Sequence, residues 1–143
     1  MSAIGNKSHM QKYVYDFAVD GGAAGAIDLS AKAGVAPLPD NAIVKEVHYW
    51  VETAVVGTSS TLAWGNTTDA DGYSGTAIAE ASLGADVVGN GASGDSALLW
   101  DGTNDHYIPF LCNSANDRDF NVTIGTADLT AGKVHFFVEY LLP

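Results

Sequence analysis

The residues best able to do chemistry in this chain are its carboxylates, its four histidines and its single cysteine. Asp69-Ala70-Asp71-Gly72 has the look of part of a calcium loop. Such a loop needs Gly at its sixth position and a bidentate Glu at its twelfth. Counting from Asp69 reaches Glu80 at the twelfth position but Ser74 at the sixth. Placing Gly72 sixth puts Ile78 twelfth. Neither register fits, and the stretch reads as a polar turn. His9, His48, His106 and His135 have no second His or Cys at zinc-like spacing within a segment. No Gly-x-Ser-x-Gly elbow and no phosphate-cradling Gly-rich loop ending in Gly-Lys-Ser/Thr is present. Cys112 has no intramolecular partner and reads as a buried apolar residue. The expectation is therefore no catalytic, cofactor-binding or metal residues, no cofactor and no enzyme.

Charge narrows the partners. The formal net charge is −11, with six Lys and Arg in all. A field of that sign repels phosphate backbones, so a nucleic-acid partner is not expected. No apolar run approaches the length of a membrane span and none resembles a signal peptide, so a membrane role is not expected. The Asn-x-Ser/Thr triplets at Asn6, Asn66 and Asn121 then read as accidental. A lone cysteine fits assembly in a reducing compartment.

The elements that position the chemistry-bearing residues centre on a hexapeptide that occurs twice. Val47-His48-Tyr49-Trp50-Val51-Glu52 and Val134-His135-Phe136-Phe137-Val138-Glu139 both follow soon after a lysine. Both are rich in β-branched and aromatic residues, which suit a pleated, half-buried surface. Alternate strand residues point to opposite faces. Val47, Tyr49 and Val51 belong on a core face, with Val134, Phe136 and Val138 as the matching set. The other faces carry His48, Trp50 and Glu52, and His135, Phe137 and Glu139. A solvated face seldom carries both Trp50 and Phe137, so Trp50, Phe137, His48 and His135 are the candidate interface residues.

Turn and strand signals divide the rest. Residues 1–11 are polar and aperiodic and read as a flexible arm preceding one domain over 12–143. Strands are expected at 12–19, 24–29, 42–56, 60–64, 106–112 and 120–126, with a final strand entered through a turn at Ala131-Gly132. Residues 76–83 fit a short helix or an edge strand. Residues 32–41, 67–75 and 113–119 read as loops, and 84–105 is the least regular stretch. Roughly eight short antiparallel strands predict an all-β, jelly-roll-like sandwich, with a closed barrel as the alternative. A chain of 143 residues buries enough surface to need no disulfide.

Several stretches together resemble a family of small virion proteins of tailed bacteriophages that associate with the capsid. They are Tyr15-Asp16-Phe17-Ala18-Val19-Asp20-Gly21-Gly22-Ala23, Leu38-Pro39-Asp40-Asn41-Ala42-Ile43-Val44, Val122-Thr123-Ile124-Gly125-Thr126, Leu129-Thr130-Ala131-Gly132-Lys133 and Phe137-Val138-Glu139-Tyr140. The resemblance implies a β-sandwich on the outer capsid surface, acting as a decoration or cement protein bound to the major capsid protein. It also implies assembly in the bacterial host cytoplasm, and it defines no catalytic residues. A head-fibre base protein is a related reading. The wet rings of Trp50 and Phe137 argue for self-association, and a homotrimer suits the local threefold points of a capsid lattice. The arm 1–11 and the loop 84–105 are the candidates for contacts across the shell. A carbohydrate-binding sandwich is the competing class, with Trp64, Tyr73 and Trp100 as possible stacking residues on or near loops.

Overall fold

The computed structural model describes residues 8–89 and 110–143. β1 (Ser8–Asp16) leads into a single helical turn, α1 (Phe17–Asp20), and then β2 (Gly25–Asp28). The long β3 (Ala42–Gly57) is followed by β4 (Thr61–Gly65), β5 (Ile78–Ala79) and β6 (Val88–Gly89). β7 (Phe110–Cys112), the helical turn α2 (Ala115–Arg118), β8 (Asn121–Gly125) and β9 (Leu129–Leu141) complete the order.

The strands form two antiparallel sheets. One has the order β1-β9-β3-β6, with β7 on the same edge of β3 as β6; the other has the order β2-β8-β4-β5. The chain crosses from one sheet to the other after β1, β2, β3, β5, β7 and β8. This is the antiparallel sandwich the sequence predicts.

The two hexapeptides lie side by side at its centre. β3 and β9 pair with Val47 opposite Val138, Tyr49 opposite Phe136 and Val51 opposite Val134. These side chains point inward and are buried, as alternation requires. Facing them from the second sheet are Leu62, Trp64, Val122 and Ile124, all buried. Aromatic rings bind the two layers: Trp64 meets Tyr49 at 4.9 Å and Phe136 at 5.1 Å between centroids, and Phe120 lies 4.8 Å from Tyr13. Tyr13 and Tyr15 bury their rings while their hydroxyls donate to the carbonyls of Ala36 and Gly21.

Several expected boundaries shift. The first strand starts earlier and ends earlier than 12–19. Residues 8–11, read as arm, pair with β9 from Ser8 opposite Leu141 onward. At the other end, the Asp16 carboxylate accepts from Ala18 N–H and caps α1, which removes residues 17–19 from the strand. Gly21, at φ 78°, closes that turn. Gly22 then packs so tightly that a Cβ there would lie 2.1 Å from the carbonyl oxygen of Leu129. Residues 24–29 shorten to β2, because Asp28 caps a 3-10 turn at Leu29–Ala31.

Residues 76–83 are both things expected of them, a two-residue edge strand and then a 3-10 turn at Glu80–Ser82. The loop 113–119 contains α2. Ala131-Gly132 is not a turn: β9 runs through it without a break. Gly132 adopts φ 147°, and the register against β3 slips nearby. A glycine signal there marks a strand irregularity, not a strand end. The ninth strand beyond the expected eight is β6, within the stretch read as irregular. Residues 1–7 of the arm, 90–105 of the loop with Trp100, and 106–109 of the expected strand lie outside the described residues.

Candidate interaction face

The outward face of the β1-β9-β3-β6 sheet is built in cross-strand rungs. Lys12 stands opposite Phe137, and Phe137 opposite His48. The next rung runs Val14, His135, Trp50 and Val88 across four strands. Below it Asp16 faces Lys133, and above it Met10 faces Glu139. The four candidate interface residues therefore share one surface. His48 and His135 are diagonal neighbours, each directly opposite the other strand's large ring.

Side-chain contacts knit the rungs together. Trp50 stacks on His135 with centroids 4.7 Å apart and 23° between planes. The Lys12 ammonium lies 5.7 Å from the Phe137 ring centre, within cation–π range. His48 Nε2 meets Glu46 Oε2 at 2.7 Å. Lys133 Nζ lies 3.0 Å from Glu52 Oε2 and 3.9 Å from Asp16 Oδ2, and Lys45 Nζ 3.4 Å from Glu139 Oε1. In an acidic chain with six Lys and Arg, three of them, Lys12, Lys45 and Lys133, stand on this one face.

The electrostatics follow from position. The hydrogen bond from Lys133 holds the Glu52 carboxyl below its ordinary range, and the same bond pushes the Lys133 ammonium up. His135 moves down: its ring is buried under Trp50, and Lys12 adds a like charge. Glu52 Oε1, 3.5 Å from His135 Nε2, pulls the other way without overcoming burial. His135 is thus a neutral aromatic platform for Trp50 at neutral pH.

Between β3 and β6 the face dips into an open depression of about 370 Å³, lined by His48, Tyr49, Trp50, Val88, Gly89 and Phe137. Val88 is 69% exposed at its rim. Gly89 allows β6 to close on β3, since a Cβ there would lie 2.9 Å from the Tyr49 ring. The hollow is shallow and mostly apolar.

Elsewhere the structure removes candidates for chemistry. Cys112 is fully buried, and burial pushes its thiol up to about 11, which suppresses the thiolate. Trp64 and Tyr73, considered for sugar stacking, are core residues. Trp100 and His106 lie outside the described residues. Asn66 and Asn121 are buried, which disfavours glycosylation at either. The Asp69–Gly72 stretch forms a turn that accepts backbone N–H groups: the Asp69 carbonyl takes those of Asn66 and Gly72. Among the described residues no helix is long and apolar enough to cross a membrane.

The sequence reading missed Lys12, Val14, Glu46 and Val88 on this face. Lys12 and Val14 were legible from alternation along β1. Glu46 was legible too, two residues before His48 in the same alternation. Val88 was not, because only the pairing of β6 with β3 places it there.

Fold and surface together define an all-β antiparallel sandwich that presents one sheet face of mixed rings and ions. A comparison with known protein families finds none that matches. No curated protein matches either. Solved structures do. A chain of the cyanophage Pam1 capsid asymmetric unit is similar at TM-score 0.56 and 18% identity, with 96% of this chain and 86% of that chain covered. A chain of the acidic stable capsid structure of Helicobacter pylori bacteriophage KHP30 is similar at TM-score 0.56 and 16% identity, with 95% and 88% covered. At such identities the likeness establishes a shared fold.

Proposed function

We propose that this chain is a structural virion protein of a tailed phage. It binds the outer surface of the head as a decoration or cement protein, contacts the major capsid protein and performs no chemistry. The observation that carries this reading is the near end-to-end match to chains in two phage capsid structures. The strand orders β1-β9-β3-β6 and β2-β8-β4-β5 support the finer jelly-roll reading. Jelly rolls also serve as lectins and enzymes, so the surface must carry the rest of the argument.

The outer face of the larger sheet is the docking surface. Trp50 and Phe137 supply the aromatic anchors that interface cores favour, and the surrounding ion pairs form a polar rim. A head protein repeated on a lattice gains from modest contacts made many times. Contacts present only in the closed shell stabilise that shell. Self-association, most simply as a trimer, would shelter the same rings; sedimentation giving a monomer at micromolar concentration counts against it.

The carbohydrate reading loses support, since Trp64 and Tyr73 are buried and the Trp50 hollow has few polar neighbours. The test is reconstruction of undecorated heads incubated with the protein. Regular added density at fixed lattice points is the expected result. Bare heads at saturating protein would overturn the reading. Deleting residues 2–7 leaves β1 whole and tests the arm: reduced occupancy assigns it a contact, and unchanged occupancy removes it.

A further inference from the structure

β3 changes phase at Lys45. Before it Ala42 and Val44 point inward, and after it Val47, Tyr49 and Val51 do. The register slips there, so that Val44 faces Tyr140 while Glu46 faces Glu139. A bulge of this kind re-aims side chains. Here it turns Glu46 outward, two residues before His48 on the same face. Glu46 and Glu139 thus become a directly opposed pair of like charges, an arrangement that ordinarily weakens a sheet.

Glu46, His48 and Glu139 each bring one donor atom within 4.8 Å of the other two. Their side chains are partly exposed, at 37%, 39% and 24%, so an ion reaches them from solvent. The donors are one imidazole nitrogen and two carboxylate oxygens. We propose that these three side chains form a binding site for a first-row divalent cation of the zinc type. Zinc accepts His and Glu ligands at about 2.0–2.2 Å, and three protein ligands leave a fourth position for water. Neighbouring donors around such an ion stand about 3.4 Å apart, so closure takes shifts of roughly 1 Å in flexible carboxylates. The backbone of two paired central strands stays fixed.

Hard cations fit less well, since Mg²⁺ and Ca²⁺ take oxygen ligands and imidazole suits zinc-like ions. The ion competes with two existing contacts: the His48–Glu46 hydrogen bond at 2.7 Å and the Lys45–Glu139 ion pair at 3.4 Å. The second is the informative competitor. A partly exposed ion pair is weak, and the lysine is not a ligand. Removing it frees Glu139 for the metal. This site does not depend on what the face docks against.

The experiment is calorimetric titration of chelator-treated full-length protein with Zn²⁺, with Co²⁺ absorption spectra as a second readout. One Zn²⁺ per chain is expected at this site, with Mg²⁺ failing to compete. His48→Ala and Glu139→Gln should each weaken it by about a hundredfold or more, beyond the ~10–100-fold that loss of an outer-shell partner costs. Lys45→Ala should tighten binding, and His9→Ala should leave it unchanged. Circular dichroism checks that each variant is folded, and Glu46→Gln replaces any that is not. Absence of saturable Zn²⁺ binding overturns the proposal. So does binding that is equal in wild type and the ligand variants.

Discussion

The two faces of β3 and β9 come from the same residues in alternation, yet they are built on different principles. Inward, Val47, Val51, Val134, Phe136 and Val138 have no exposed surface at all. Outward, the same strands carry Trp50 on His135, Lys12 over Phe137, and ion pairs joining Lys133 to Glu52 and Lys45 to Glu139. The inner face derives its stability from removing apolar area from water. The outer face holds rings half in solvent and surrounds them with charges that stabilise little when exposed. Fold stability and partner binding should therefore separate cleanly between the two faces.

The largest expected effect is on the inner face. Phe136→Ala removes a fully buried ring that touches both Trp64 and Phe120. Urea unfolding should show a loss of about 3–5 kcal/mol, typical of a core Phe truncation. A loss as small as that of an outer-face variant would erase the contrast. Trp50→Ala should cost less, about 1 kcal/mol, mostly its stack on His135. Its main effect should instead be on head binding.

Acid sharpens the comparison. His135 has a folded-state pKa below its ordinary value of 6.5. The unfolded chain then takes up the proton first. Its cost to the fold is absent above about pH 6.5 and grows as pH falls toward the folded value. The Glu52 carboxyl is also lowered, from 4.5, so its contribution is present above that pH and is lost as pH falls through its folded value. Both act in the same direction, in successive windows. Unfolding midpoints should fall between pH 7 and 5, and His135→Gln should flatten that slope. An unchanged slope in the variant would place the titrating group elsewhere. The smallest effect should be that of Lys12→Ala, about 0.5–1 kcal/mol for an exposed cation–π contact, read by the same unfolding assay.

The inner face was legible in the sequence because alternation is a local rule. Tyr13, Tyr15, Phe120, Val122 and Ile124 fall where it puts them. The outer face was legible in part. Trp50, Phe137, His48 and His135 follow from the two hexapeptides, but their pairing does not, since register is a relation between strands 87 positions apart. The bulge at Lys45 was hidden for a related reason. It is defined by the partner strand, and only pairing brings Glu46 opposite Glu139. Residues 17–19 deceived by composition: Phe17 and Val19 suit a strand, but the cap at Asp16 and Gly21 decide for a helical turn.

The most direct test of the account is pelleting of undecorated phage heads with equal amounts of wild-type protein and the Trp50→Ala/Phe137→Ala double variant. Unfolding curves are recorded in parallel. The outer-face account predicts stoichiometric pelleting of wild type and little of the variant, with the variant still folded. Equal occupancy by the folded double variant would contradict it and move the docking surface off this sheet.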